Sequence, residues 1–165
     1  MRRLTLFMSF ATEPVGVRAF AAADARAVEP WLDAPGLMRP PGSRRRWAER
    51  LASDPRVRGF VAECAGRPLG FLRYDPGPDG VAELTIAVAP TARRRGVGRA
   101  LVAAALQLAR AGGLRALDAA IDLQNAAALA FFGAHGFERE RPCGDRLVLR
   151  RLVHTTAGAK PLDIG

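Results

Sequence analysis

With 165 residues, 49% of them apolar, the chain is long enough to bury one hydrophobic core and too short to be expected to divide into two. Its formal charge of +9 is carried almost wholly by arginine, Lys160 being the only lysine, so the excess reflects arginine-rich composition and argues only weakly for an anionic partner. Cys64 and Cys143 stand alone, which excludes a disulfide scaffold or a cysteine-framed zinc site, and the longest uncharged stretch, residues 123–137, is too short and too polar to span a membrane.

At the N-terminus Arg2 and Arg3 precede an apolar run too short for a signal peptide, so a cytoplasmic protein is expected, with residues 1–13 an extension. Residues 15–20 alternate around Arg18 as a strand does. Asp24 is placed to cap a helix over 25–32, in which Val28, Trp31 and Leu32 recur at helical spacing. Pro30, Pro35, Pro40 and Pro41, with Gly36 and Gly42, interrupt the next stretch, and Ser43 is the expected cap of a second helix through Trp47 and Leu51. The segment 30–47 is therefore a candidate lid. Within it Arg44, Arg45, Arg46 and Trp47 form either a solvated helix start or a surface for an acidic partner.

Three β-prone runs come next, 59–64, 68–74 and 81–88, separated by turns rich in glycine and proline, the pattern of an antiparallel meander. Leu101, Ala105 and Leu108 share one face of a helix that opens near Gly98 and stops at Gly112-Gly113. Residues 114–121 return to strand, 125–135 have helical period with Gly136 as left-handed terminator, and strands around 138–141 and 147–152 close the chain. The order β-α-α-β-β-β-α-β-α-β-β predicts an α+β fold over residues 14–153, a mixed, mostly antiparallel sheet with helices on both faces. Residues 154–165 are expected to be a loose tail.

The segment that carries chemistry runs from Val88 through Arg93-Arg94-Arg95-Gly96-Val97-Gly98-Arg99 to Leu101, in the order strand, turn, helix. Gly96 and Gly98 let the backbone approach a ligand, and the first helical turn presents unpaired N–H groups at the positive end of its dipole. Together they make a seat for a diphosphate, with Arg94, Arg95 and Arg99 adding charge beside it. A P-loop is excluded, because Gly-Lys-Ser/Thr is missing. A Rossmann turn competes: Gly96-x-Gly98 follows a strand and Asp118 lies where a ribose-binding acid belongs, although Leu101 occupies the third glycine.

The same segment resembles the GCN5-related N-acetyltransferases (GNAT), whose motif V-x-x-x-x-Q/R-x-x-G-x-G/A is met by Val88, Arg93, Gly96 and Gly98. A second motif of that family, an asparagine opening a helix that ends in Gly-Phe, is similar to the stretch from Asn125 to Gly136-Phe137. The resemblance implies the GNAT fold, acetyl-coenzyme A as acyl donor with no metal, and a small-molecule amine as acceptor. It implies neither nucleic acid nor membrane as partner, and leaves a homodimer open. By the same resemblance the backbone of Ile86, Ala87 and Val88 pairs with the pantetheine arm, and the loop of Arg93, Arg94, Arg95, Gly96, Val97, Gly98 and Arg99 holds the diphosphate. Asn125 and Phe132 then lie along the arm.

Direct transfer needs a neutral amine, a hydrogen-bond donor for the developing oxyanion and a proton for the departing thiolate. A backbone N–H near Val88 suits the second need. The tyrosine that commonly serves as family acid is Phe132 here, and the glutamate of branches acetylating protein N-termini is Ala120. Glu83 remains as candidate base, with a solvated strand carboxylate as its plain alternative. Tyr74, the only tyrosine, is the candidate acid or else a residue packed at a sheet edge. His135, beside Gly136, is read as a helix C-terminal cap.

The leading expectation is an N-acetyltransferase of small amines. The stretch 119–125 with Phe131 and Phe132 is similar to branches acting on nucleotide-linked amino sugars. The alternatives are a catalytically weak coenzyme A-binding regulatory module and, on charge alone, a nucleic-acid-binding domain, which lacks interleaved aromatics.

Overall fold

The computed structural model describes residues 14–32 and 46–154. Its seven strands are β1 Gly16–Ala19, β2 Arg58–Cys64, β3 Arg67–Pro76, β4 Val81–Val88, β5 Ala116–Asp122, β6 Glu138–Cys143 and β7 Arg146–Leu152. They form one sheet in the order β1-β2-β3-β4-β5-β7-β6, antiparallel everywhere except between β4 and β5. Helices α1 (Ala25–Leu32), α2 (Trp47–Ser53), α3 (Val97–Ala111) and α4 (Ala126–Ala134) flank it. The α+β class and the element order are those that the periodicity predicts.

Alternation along the strands assigns the two faces. Val61, Phe71 and Ala87 pack beneath α1 and α2 with Val28, Leu32 and Trp47. Their chain neighbours Ala62 and Leu72, with Leu84 and Leu117, pack beneath α3 with Val97, Leu101, Val102 and Ala105. The helix α3 lies close on β3 because Gly70 has no side chain: a Cβ there would stand 2.6 Å from Val97 Cγ1 and 3.0 Å from Leu101 Cδ1. This contact fixes the height of the first turn of α3 above the sheet.

Two expectations are corrected by the packing. Asp24 is not the N-cap of α1; it is the last residue of a 3-10 turn, Ala22–Asp24, and caps that turn from its third position, its carboxylate accepting from the Ala21 N–H at 2.8 Å and from both terminal nitrogens of Arg18 at 2.8 and 2.9 Å. A short acid before an apolar run looks like a cap, and the competing guanidinium comes from the preceding strand. Trp47 does not belong to a surface cluster either. It is 5% exposed, sits between Phe20 and Phe71 at ring distances of 5.5 and 6.0 Å, and donates its indole N–H to Glu29 at 2.8 Å. Arg46 stays exposed at the start of α2, whereas Ser43, Arg44, Arg45 and residues 33–45 of the expected lid lie outside the described residues.

Candidate active site

The parallel strands β4 and β5 pair at only three positions, Val81 with Ala116, Ala82 with Leu117 and Glu83 with Asp118. Beyond Glu83, β4 runs on to Val88 still paired to β3, and β5 runs on to Asp122 still paired to β7. Each strand keeps its outer partner and loses its inner one, so the sheet opens as a wedge. The Ala89 N–H donates to the Leu69 carbonyl of the β3 side at 2.8 Å. Alternation in an antiparallel pair then turns the backbone groups of Ala87 to β3 and those of Ile86 and Val88 to the wedge. Of the three residues expected to pair with an extended ligand, two offer free N–H and C=O groups.

At the mouth of the wedge the chain turns through Pro90–Ala92 into α3. Arg94 (φ 61°) and Gly96 (φ 79°, ψ 8°) adopt the left-handed conformation, costly for arginine and free for glycine. Gly96 occupies the N-cap position without a side chain, so the first N–H groups of α3 have no side-chain cap. A left-handed residue followed by helical Val97 directs successive N–H groups to one side, which makes an anion-binding concavity. Arg93, Arg94, Arg95 and Arg99 are exposed around it, and none forms an ion pair with a described residue. Unsatisfied donors, a positive helix end and unpaired cations all fit a diphosphate.

The other wall of the wedge is β5 with α4. Asn125 caps α4, its Oδ1 accepting from the Ala128 N–H at 3.1 Å, which leaves the side-chain NH2 to donate elsewhere. The far end closes as a Schellman turn: Gly136 is left-handed (φ 80°), the Phe137 N–H donates to the Phe132 carbonyl at 3.1 Å, and the two rings meet at 5.0 Å. The spacing from the asparagine to Gly-Phe thus has a local cause, a cap at one end and a glycine turn with its apolar clasp at the other. His135 is structural as read: its Nδ1–H donates to the Phe131 carbonyl at 2.7 Å.

The candidate catalytic pair is split by the sheet. Glu83 is exposed, the last residue of β4 paired to β5, on the face shared with Asp75 and Asp118, its partners across both neighbouring strands. Tyr74 sits opposite Leu84 on the other face, 3% exposed and inside the core under α3, and β3 is an interior strand, so it is not an edge residue. Burial pushes its phenol above the ordinary value, with Arg58 acting weakly the other way. Asp118 is gripped by Arg150 at 2.7 and 2.8 Å, within a sheet that is parallel at one pairing only, so it is no ribose-binding acid of a Rossmann turn. Asp75, 2.9 Å from Arg73, has a carboxyl raised by burial despite that guanidinium.

Residues 22–137 match the family model described as the acetyltransferase (GNAT) family. The chain belongs to that family. It is 35% identical over 128 residues to a mycothiol acetyltransferase of Salinispora tropica, covering 73% of this chain and 35% of the relative. To an L-2,4-diaminobutyric acid acetyltransferase of Nocardia farcinica it is 41% identical over 78 residues, 45% of this chain and 40% of the relative. The chain thus spans between about a third and two fifths of the length of these curated relatives. Among solved structures, a GCN5-related N-acetyltransferase from Kribbella flavida superposes with a TM-score of 0.69 at 27% identity, over 84% of this chain and 97% of that one.

The fold places the two residues at which the resemblance departs from the GNAT pattern. Phe132, at the tyrosine position, is 4% exposed, with its ring edge-on to Phe131 at 5.1 Å and to Phe137. Ala120, at the glutamate position, lies two residues along β5 from Asp118 and so shares the face of Glu83. Sequence reasoning misses two groups around the wedge. Arg150, which neutralises Asp118, carries no motif. Phe131 enters the sequence reading only through the resemblance of residues 119–132, and nothing there signals that its ring lies against the first turn of α3.

Proposed function

We propose that this GNAT chain transfers the acetyl group of acetyl-coenzyme A to a primary amine of a small molecule. One observation carries the reading: the wedge between β4 and β5 opens onto the uncapped, arginine-flanked start of α3. Acetyl-coenzyme A supplies an activated thioester. Ile86 and Val88 offer strand-like hydrogen bonds to its amide-bearing arm, and the N–H groups from Gly96 to Arg99 receive the diphosphate beside Arg93, Arg94, Arg95 and Arg99. Asn125 gives its free amide N–H to the arm, and Phe132 walls it from α4. The Val88 N–H stabilises charge developing on the carbonyl oxygen.

Glu83, at the apex of the wedge on the solvent-facing side, takes the ammonium proton through water. Tyr74 stays the candidate acid only from the other face of the sheet, where its phenol is buried beneath α3 and burial makes it a weaker proton donor. The names of the relatives, acetyltransferases of diaminobutyric acid and of mycothiol, support a small amine as acceptor. A nucleotide-linked amino sugar is the finer reading, resting on the resemblance of residues 119–132. A second reading is a coenzyme A-binding module with weak turnover, favoured by the phenylalanine buried where the family acid stands.

The test is thiol release from acetyl-coenzyme A with a panel of diamines, amino sugars, amino-sugar nucleotides and peptides. Amine-dependent release is expected with a small amine. Binding of acetyl-coenzyme A with no release for any member favours the second reading, and no binding at all overturns both.

A further inference from the structure

We propose that Phe131 is a positioning residue that sets the width of the cofactor wedge, through the contact of its ring with Gly98. The inference rests on the wedge being the acetyl-coenzyme A site. The wedge has two walls, β4 continuing into α3 and β5 continuing into α4, and beyond Glu83 the strands no longer tie them. The helices do. A Cβ built on Gly98, in the first turn of α3, would meet Phe131 Cε2 at 2.8 Å and Cζ at 2.9 Å. No real Cβ sits that close, so the ring occupies the place of a side chain at residue 98. The ring is held on other sides by Phe132 at 5.1 Å, edge-on, and by His135 at 4.3 Å, whose Nδ1–H is itself anchored on the Phe131 carbonyl. It cannot swing aside without loosening the end of α4.

The acetyltransferase motif accepts glycine or alanine at this position, so approach to a diphosphate does not by itself demand glycine. The demand in this chain comes from Phe131. A methyl group at residue 98 would push α4 from α3 and carry Asn125 away from Val88 and the α3 N–H groups.

The test compares acetyl-coenzyme A affinity by calorimetry for the unaltered chain, Gly98→Ala, Phe131→Leu and the double variant, with the melting temperature of each. Leucine lacks Cε2 and Cζ, and the ring's Cδ2 already stands at an ordinary 3.8 Å from the built Cβ. Gly98→Ala is expected to weaken binding about tenfold, the loss that follows when one hydrogen bond to the ligand is weakened. The double variant should return to within about threefold of the unaltered chain. Unchanged affinity in Gly98→Ala, with or without a lower melting temperature, overturns the proposal, as does a folded double variant that binds no better than Gly98→Ala. Should Gly98→Ala fail to fold, the double variant against Phe131→Leu decides: equal affinity supports the proposal, tenfold weaker binding overturns it. An unaltered chain that does not bind acetyl-coenzyme A overturns the cofactor reading itself and this inference with it.

Discussion

Asp24 is 8% exposed and accepts three hydrogen bonds, two from Arg18 and one from the Ala21 N–H. The Arg18 bonds hold its carboxyl below the ordinary value, against the opposing effect of burial. A depressed folded value means that the ionised form stabilises the fold above the unfolded value and that this stability is lost as pH falls through the folded one. Asp24→Asn should therefore cost about 1–3 kcal/mol near pH 7, the range for a broken charged hydrogen bond. The cost should shrink below about pH 4, where the unfolded carboxylate takes up its proton. Urea unfolding of both proteins at neutral and acid pH checks this; a difference independent of pH would remove Arg18 as the cause. Glu83 faces a different constraint, because no described residue ties it down and its chemistry depends on what the wedge admits.

At the scale of elements, glycines with the same composition signal do opposite work. Gly70 admits Val97 and Leu101 of α3 onto β3, so Gly70→Val overpacks the contact, at a cost of about 1–3 kcal/mol, and lifts the first turn of α3. Acetyl-coenzyme A binding should weaken with it. Gly133 lies on the exposed side of α4 with nothing within 4 Å of a built Cβ, and there Gly133→Ala should stabilise by about 0.5–1 kcal/mol through helix propensity alone. Thermal unfolding of the two variants should move in opposite directions. A loss in both would mean that α4 is covered on that side.

Over the whole molecule the charge of +9 acts at two ranges. Spread over the surface it attracts any polyanion; gathered as Arg94, Arg95 and Arg99 around the α3 start it acts within one screening length, about 10 Å at 0.1 M salt. Affinity for acetyl-coenzyme A should fall as salt rises from about 50 to about 300 mM, and most of that slope should vanish when Arg94→Ala, Arg95→Ala and Arg99→Ala are combined. Removing Arg139 and Arg141 from the exposed edge strand β6 should leave the slope nearly intact. Equal loss in the two sets would mean that the general field of the molecule, and not the loop, draws the ligand.

What the sequence determined by itself is what contiguous residues encode. Gly112-Gly113 end α3, with the Leu114 N–H reaching the Ala109 carbonyl at 2.8 Å; Asn125 starts α4 and Gly136-Phe137 ends it. Caps, left-handed turns and periodicity act within a few residues, so the element order and the glycine turn that opens α3 were legible. Only the tertiary structure decided relations between distant segments. The parallel pairing stops at Glu83, Tyr74 lies opposite Leu84 and so on the face away from Glu83, and Trp47 is drawn between Phe20 and Phe71. Phe131 takes the space above Gly98 in the same way. The physical reason is register: a shift of one residue between two strands exchanges their faces, and no local preference along either strand sets that shift.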